Sequence, residues 1–123
     1  MIHRISAVLI WSENYQELAD WYQEKLDLKI QSTEHHPKDT GINFQLGDTI
    51  LWIGKHSKVK GKNQDQCRIM FNLSVDSVQE TYELLQSRGV EFIAPPFKAF
   101  TFDKYFATFY DLDQNIVQLI GDK

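Results

Sequence analysis

Apolar and polar positions are patterned most clearly near the C-terminal end of the chain. Two apolar runs, Tyr105–Tyr110 and Ile116–Ile120, are rich in aromatic and β-branched residues, and a short polar link separates them. Asp and Asn side chains in such a link close a turn on their own backbone. The pattern predicts a β-hairpin whose second strand is interrupted by the polar residue Gln118.

The same order of elements is predicted in both halves of the chain. A strand at Ile5–Trp11 precedes one helical stripe, and a strand at Ile69–Val75 precedes another. The first stripe consists of Tyr15, Leu18, Ala19, Tyr22 and Leu26, and the second of Val78, Thr81, Tyr82 and Leu85. Ser77 followed by Glu80 has the spacing of a capping box. The stripes coincide after a shift of 63 residues, since 78 − 15 = 63 for their first members.

Each helix is followed by three predicted strands. In the first half they are Leu28–Glu34, Ile42–Leu46 and Thr49–Gly54, and in the second half Val90–Ile93, Phe100–Tyr110 and Ile116–Ile120. Gly47-Asp48 predicts a tight turn, Gly89 the end of the second helix, and Pro95-Pro96 an extended break before the next strand. We therefore predict one domain, 1–123, with an internal duplication: a βαβββ module at 1–58 and a second at 66–123.

Charge and cysteine content limit the classes of binding partner and the cellular location that we expect. The net charge of −4 is spread without a basic stripe, which argues against nucleic acid as a partner. The one lysine-rich segment, which contains Lys55, Lys58, Lys60 and Lys62, is interpreted as a solvated loop and not as a phosphate site. Cys67 is the single cysteine, so no internal disulfide can form, and we expect it to pack as a small hydrophobe. No apolar run approaches membrane-spanning length, so we expect no membrane partner and a cytoplasmic location.

Two segments resemble motifs of a known family. Leu18-Ala19-Asp20-Trp21-Tyr22-Gln23-Glu24-Lys25-Leu26-Asp27-Leu28 resembles its helix entering an "FY…LG" end, and Phe109-Tyr110-Asp111-Leu112-Asp113-Gln114-Asn115 resembles its "DPDGN" turn. Here Leu112 replaces the usual Pro and Gln114 the usual Gly. With the duplication, the chain resembles the vicinal oxygen chelate superfamily of glyoxalase I, extradiol dioxygenases, fosfomycin-modifying enzymes and bleomycin-resistance proteins. The resemblance implies an α+β fold of two tandem βαβββ modules with curled mixed sheets around a cleft, and a symmetric homodimer.

Catalytic members of that superfamily bind a divalent metal at four positions. By resemblance these positions correspond to Ala7, Trp52, Met70 and Gln118, and a slip of one residue would replace Trp52 with Leu51. Ala, Trp and Met offer no nitrogen or oxygen lone pair that Zn, Fe, Mn or Mg would accept. The four histidines, His3, His35, His36 and His56, are not spaced for joint chelation. We therefore expect no metal, no cofactor, and neither metal-dependent glyoxalase nor dioxygenase activity.

Strand alternation, together with the resemblance, predicts an apolar and aromatic cavity in place of a metal site. Its predicted ligand-binding residues are Ala7, Leu9, Trp11, Trp52, Met70, Asn72, Phe106, Thr108, Tyr110 and Gln118. Such walls suit a small planar aromatic molecule.

Three function classes remain open at this point. The favoured one is a metal-free protein that binds a small organic molecule without catalysis. The second is a metal-independent enzyme, of lyase, isomerase or transferase type, in which Tyr110 moves a proton and Asn72 or Gln118 steadies developing charge. The third is a structural or regulatory dimer whose cavity is filled by its own side chains.

Overall fold

The computed structural model describes all residues, 1–123, and contains eight strands and two helices. These elements are β1 Ala7–Ser12, α1 Tyr15–Leu26, β2 Ile30–His36, β3 Asp39–Leu46, β4 Thr49–Lys55, β5 Phe71–Ser77, α2 Val78–Ser87, β6 Phe92–Lys98, β7 Tyr105–Tyr110 and β8 Ile116–Asp122. The chain divides into two compact units, Met1–Gly61 and Lys62–Lys123, and each has the order βαβββ. The predicted fold class of two tandem βαβββ modules is confirmed.

The first unit is built on a four-stranded sheet in the order β1-β4-β3-β2. Strand β1 runs parallel to β4, and the other two pairs are antiparallel. Gly47 has φ +58° between β3 and β4, which confirms the tight turn predicted there, because a glycine adopts this left-handed conformation without steric cost. The sheet is not closed, so β1 and β2 are its edges.

Helix α1 covers one face of this sheet. Three of the predicted stripe residues, Leu18, Ala19 and Tyr22, are buried in its packed face. Successive side chains along each strand of the sheet point to opposite faces, as the pleat requires. The face toward the helix carries Ile10, Ile42, Phe44, Leu51 and Ile53, all buried. The opposite face is here named the first open face.

The second unit repeats this arrangement with the sheet order β5-β8-β7-β6. Ser77 caps α2, its hydroxyl accepting a hydrogen bond from the Glu80 N–H at 3.2 Å, and Gly89, at φ +84°, follows the helix as predicted. Tyr82 of α2 packs on Phe92, with ring centroids 4.7 Å apart, and Phe92 packs on Phe109. These rings identify the helix-covered face of the sheet, and the other face is here named the second open face.

The loop between β7 and β8 is folded around a buried carboxylate. Asp111 is 2% exposed, and its Oδ1 accepts hydrogen bonds from the backbone N–H groups of Asp113 and Asn115 at 2.9 and 3.0 Å. Its Oδ2 accepts a third from Nδ2 of Asn115 at 2.9 Å. Gln114 has φ +67°, a conformation that glycine adopts more easily. The predicted hairpin is therefore present, and side chains of the loop itself hold its turn, as its Asp and Asn content predicted.

The predicted break at Pro95-Pro96 is wrong, because both prolines lie inside β6. Strand β6 is an edge strand, and its pairing with β7 shifts register between Ala94 and Phe97. A proline has no N–H to donate, so it fits an edge strand at such an irregularity without losing a ladder hydrogen bond. The two prolines shape the edge of the sheet and do not end the strand.

The predicted strand Phe100–Tyr110 is too long, since β7 begins only at Tyr105. The preceding residues form a loop that joins β6 to β7, closed by the hydrogen bond from the Ala99 N–H to the Lys104 carbonyl at 2.8 Å. Phe100 in this loop is 99% exposed. The aromatic content of the segment suggested a strand, whereas two antiparallel neighbours require a turn at this point.

Two further expectations for the start of the second unit are wrong. Cys67 is exposed and does not pack as a small hydrophobe. Met70 precedes β5 and is 41% exposed, so it is not part of the strand on which it was predicted. The strand begins at Phe71, which pairs with Val117, the second residue of its parallel partner β8, and the apolar residues before Phe71 lie outside this ladder.

Neither of the two helices combines the length and apolar character that crossing a membrane requires.

Candidate functional site

The first open face carries the four residues of the first unit that the sequence assigned to a site. In the register of the sheet, Leu9 of β1 lies beside Trp52 of β4, and Trp11 lies beside Gly54. Ala7 shares their side of β1. Leu51, the alternative to Trp52, is buried on the side of α1. The structure therefore brings Ala7, Leu9, Trp11 and Trp52 together on one surface.

Two glycines make room for the indole of Trp52. A Cβ atom on Gly41 would lie 2.5 Å from Cζ2 of Trp52, and one on Gly54 would lie 2.2 Å from its Nε1. The indole therefore lies against the backbone of β3 and β4, where only a residue without a side chain fits. As a result Trp52 is 7% exposed.

The indole N–H of Trp52 is buried without a hydrogen-bond acceptor. It is the single buried side-chain nitrogen or oxygen in the chain in that condition. Burying a donor without an acceptor costs about 1–3 kcal/mol, and native proteins leave few donors unpaired. This group is the most unusual polar feature of the first open face.

Trp11 borders that N–H and provides the exposed aromatic surface. The Trp11 and Trp52 rings are edge to face with centroids 6.3 Å apart, and Trp11 is 36% exposed. On its other side Trp11 contacts His56, with ring centroids 5.4 Å apart. A ligand that stacks on this face would therefore contact the exposed ring of Trp11 and not the buried ring of Trp52.

The second open face carries five predicted site residues. The register aligns Asn72 of β5 with Gln118 of β8, and Gln118 with Thr108 of β7. The Nε2 group of Gln118 donates to Oγ1 of Thr108 at 3.1 Å, so this polar pair is preorganised. Phe106 and Tyr110 lie two residues to either side of Thr108 and point to the same face.

Phe106 is part of an aromatic cluster at one end of this face. Its ring lies 5.7 Å from that of Phe97 and 5.8 Å from that of Phe102, measured between centroids. Met70, the tenth predicted site residue, is outside the strands, and no alternation places it on either open face. Nine of the ten predicted residues therefore lie on the open faces of their own sheets.

The residues at the family's metal positions do not fit a divalent ion. Ala7 and Trp52 provide no ligand atom, Met70 is outside the sheet, and Gln118 provides only one neutral amide oxygen. No group of three or more His, Cys, Asp or Glu side chains is arranged to hold an ion anywhere in the chain. A single amide cannot replace a set of imidazole and carboxylate ligands.

The Lys104 ammonium group, directly before β7, has a raised pKa. Asp122, hydrogen-bonded to Lys104 at 2.8 Å, raises the pKa of the lysine ammonium group, with a further contribution from its negative charge. Both side chains are solvent-exposed, Asp122 at the end of β8 and Lys104 just before β7. This pair ties the end of β8 to the residue that precedes β7.

Sequence reasoning missed three features of the first open face. These are the glycines beneath Trp52, the contact of His56 with Trp11, and a polar pair in which Nδ2 of Asn43 donates to Oγ of Ser32 at 2.9 Å. The glycine at position 54 follows Trp52 at the spacing of a shared strand face, which is a usable signal. The pairings of His56 and Asn43 depend on contacts that only the folded unit provides.

The fold has many counterparts among solved structures. A glyoxalase family protein from Enterococcus faecalis superposes with a TM-score of 0.77 at 23% identity, covering 95% of this chain and 96% of that one. A putative glyoxalase family protein from Bacillus anthracis superposes with a TM-score of 0.80 at 19% identity, covering 100% and 98%. At these identities the likeness shows the fold alone.

The sequence itself matches relatives over most of its length. The protein YetH of Bacillus subtilis (strain 168) is 27% identical over 101 residues, which cover 78% of this chain and 81% of YetH. The profile of the Glyoxalase/Bleomycin resistance protein/Dioxygenase superfamily matches residues 4–119. The chain belongs to the glyoxalase/bleomycin resistance protein/dioxygenase superfamily.

Proposed function

We propose that this protein binds a small, planar aromatic organic molecule without a metal ion and without catalysing its conversion. Each unit is assigned its own residues: Ala7, Leu9, Trp11 and Trp52 on the first open face, and Asn72, Phe106, Thr108, Tyr110 and Gln118 on the second. Met70 is withdrawn from this set because it lies outside the strands. None of the assigned residues carries a carboxylate, an imidazole or an amine, so binding is favoured over acid–base chemistry.

The observation that carries the proposal is the unpaired indole N–H of Trp52 beside the exposed ring of Trp11. A ligand carbonyl or ring nitrogen would supply the missing acceptor, and its ring would stack on Trp11. Since the N–H is buried, a rotation of Trp11 is the movement that would open it. An aromatic surface next to one fixed donor is typical of sites that recognise planar molecules.

The residues at the metal positions support metal independence. Their side chains include no set of nitrogen and oxygen donors, and the Trp52 indole fills the space on β4 that a carboxylate ligand would use. In a thermal-shift screen, Mn, Zn, Fe, Co and Ni salts should therefore leave the melting temperature unchanged. Planar aromatic molecules that bind the folded state should raise it by mass action. A metal-dependent rise would contradict this part of the proposal.

Trp52→Phe provides the direct test of the unpaired donor. Phenylalanine keeps most of the ring but removes the N–H, so the affinity for an aromatic carbonyl ligand found in the screen should fall about 3- to 10-fold, the value of one net hydrogen bond. The free energy of unfolding should fall only slightly. The variant loses the packing of part of the indole, but it also removes the penalty of a buried donor without an acceptor. Calorimetric titration gives the affinity and thermal unfolding the stability.

Two truncations provide the control for stacking. Trp11→Ala should weaken the same ligand by about 1–3 kcal/mol, as expected for an aromatic anchor. Phe100→Ala removes an aromatic ring that is 99% exposed and lies in the other unit, and it should leave the affinity unchanged. An unchanged affinity in folded Trp11→Ala would instead favour a structural or regulatory role with a filled aromatic cluster.

We further propose a symmetric homodimer in a reducing, cytoplasmic setting. Each four-stranded sheet is open at both edges, and large apolar side chains such as Leu9, Ile93 and Phe97 are exposed. Pairing of equivalent surfaces across a twofold axis is the commonest way to cover such surfaces. Light scattering at micromolar concentration should give about twice the chain mass of 14.4 kDa. A mass of 14.4 kDa across a dilution series would count against the dimer.

A further inference from the structure

The first unit contains an open cleft of about 530 Å³, and Trp52 is not among the residues that line it. Its walls come from the first residue of α1, the turn between β2 and β3, and the end of β4. The lining residues are Tyr15, Pro37, Lys38, Asp39, Thr40, Lys55, His56 and Ser57. This set is here named the basic cleft. Its volume lies in the range of about 300–1,000 Å³ that small-molecule sites occupy.

The basic cleft contains two cations that have no anionic partner. Neither the Lys38 nor the Lys55 ammonium group is in an ion pair, whereas nearby Lys60 lies 3.6 Å from the carboxylate of Glu13. Asp39 is the single carboxylate in the walls, so the cleft has a formal charge of +1 in a chain with a net charge of −4. The positively charged cleft therefore attracts anions, although the protein as a whole has a negative net charge.

Neutral donors add to these cations. The Nδ1 atom of His56 accepts a hydrogen bond from the Lys58 N–H at 3.1 Å, so the neutral ring holds its proton on Nε2 and that nitrogen is a donor. The hydroxyl groups of Ser57 and Tyr15 are further donors in the walls. Ammonium, imidazole N–H and hydroxyl groups together are the donor set that a carboxylate or phosphate accepts.

His56 joins this cleft to the aromatic pair of the proposed site. Its ring lines the cleft and is also in edge contact with Trp11, with centroids 5.4 Å apart. A molecule whose ring lies on Trp11 would therefore place a substituent within reach of the basic cleft. Sequence position alone favoured a solvated loop for Lys55, but the fold places this lysine in a wall opposite the β2–β3 turn.

We propose that the basic cleft binds the oxyanion of the ligand, a carboxylate or a phosphate, through Lys38 and Lys55. This inference rests on the proposed function and specifies it: the ligand is an aromatic acid whose ring contacts Trp11. The acidic group is held at the end of the sheet, where exposed lysines can move to meet it without disturbing the core.

Calorimetric titration at low ionic strength with four probes tests the inference. The probes are benzoate, phenyl phosphate, benzamide and inorganic phosphate, so that ring and charge are varied separately. Benzoate or phenyl phosphate should bind at least about 10-fold more tightly than benzamide, because a charged hydrogen bond is added. The tighter binder of benzoate and phenyl phosphate shows whether the oxyanion of the ligand is a carboxylate or a phosphate. Inorganic phosphate should bind more weakly than either, because it has no ring for Trp11.

Charge-removing variants locate the contact. Lys38→Gln and Lys55→Gln should each weaken the better aromatic anion about 3- to 10-fold and leave benzamide unchanged, since an exposed charge contributes a modest energy. Lys60→Gln removes the same charge from the neighbouring loop, where the lysine is already paired with Glu13, and should change the affinity less than about 2-fold. All three lysine side chains are exposed, so the three substitutions should leave the folded structure unchanged.

The possible failures are distinguishable. Equal affinity for benzamide and benzoate, or an equal loss in Lys60→Gln, would overturn the oxyanion site but leave the aromatic site intact. Binding of inorganic phosphate as tight as that of the aromatic anions would overturn the assignment of the ring to Trp11. The proposed function itself is tested separately, by whether Trp11→Ala weakens benzamide.

Discussion

Replacing Asp111 with alanine is expected to lower the free energy of unfolding of the second unit by about 3–5 kcal/mol, since each hydrogen bond to a charged group contributes about 1.5–3 kcal/mol. The carboxylate is 2% exposed and accepts hydrogen bonds from two backbone N–H groups and from Nδ2 of Asn115. Without it three donors of this half-buried loop lose their common acceptor. The substitution should therefore destabilise the whole β7–β8 hairpin.

The same loop also anchors the segment that precedes β5. Asn63 donates from its backbone to the Asp113 carbonyl at 2.8 Å and from Nδ2 to Oδ1 of Asn115 at 3.0 Å. If Asp111→Ala loosens the loop, these two contacts weaken together with it. The cost should therefore exceed that of three isolated hydrogen bonds on an exposed surface.

Chemical denaturation followed by far-UV circular dichroism measures this loss. Tryptophan fluorescence is unsuitable because Trp11, Trp21 and Trp52 all lie in the first unit. Asp111→Asn keeps an acceptor oxygen and should lose about half as much stability. Asp103→Ala is the matched control, since its side chain is 95% exposed and it should change stability by less than about 0.5 kcal/mol. A loss below about 1 kcal/mol in Asp111→Ala would contradict the buried-carboxylate account.

The Asp111 loop shows how far the sequence alone reaches. Its Asp and Asn content predicted a turn, and the aromatic and β-branched residues of the flanking apolar runs predicted both strands, because these are local signals. Which side chain is buried at the centre of the turn is not local, since it depends on how the loop closes. Glutamine itself gives no signal for the positive φ of Gln114, and only the resemblance, which aligns this residue with a glycine, pointed to it.

The errors in the strand boundaries have a common physical origin. Ile69, Met70 and Phe100 are apolar or aromatic and looked like strand residues, yet each lies beyond the end of its ladder and is exposed. Apolar character predicts a strand only where a partner strand is available to pair with it. Partner length is a property of the sheet, so a single-sequence pattern cannot set these ends.

The sequence predicted which face of a sheet a candidate site residue lies on, because strand alternation determines the face. It did not predict how exposed that residue is, because side-chain packing determines the exposure. Parity alone places Trp11, Trp52 and Gln118 on the open faces of their own sheets. It does not indicate that Trp52 lies flat over two glycines and is buried, or that Trp11 keeps the exposed surface. Nor does it indicate that Lys38 and Lys55, 17 positions apart because 55 − 38 = 17, line one cleft.

Gly54→Ala is expected to destabilise the first unit by about 3 kcal/mol, the upper part of the range for over-packing. The added Cβ would lie 2.2 Å from Nε1 of Trp52 and 2.9 Å from Cζ3 of Trp11. The backbone of Gly54 cannot yield, because β4 is paired with β1 on one side and with β3 on the other. The indole of Trp52 must therefore leave its place, and its emission should shift to the red as it becomes exposed.

A double-mutant cycle tests whether Trp52 is the cause of that loss. In a Trp52→Leu background the indole is gone, so adding Gly54→Ala should cost less than about 1 kcal/mol, with a coupling energy of about 2 kcal/mol between the two positions. Gly121→Ala is the control, since its Cβ would meet the carbonyl oxygen of Val75, a backbone atom that no side-chain replacement can move. It should be equally damaging in both backgrounds. If Gly54→Ala lowers the free energy of unfolding by the same amount with and without the indole, Trp52 does not occupy the space above the glycine. The unpaired N–H next to Trp11 would then no longer support a ligand contact.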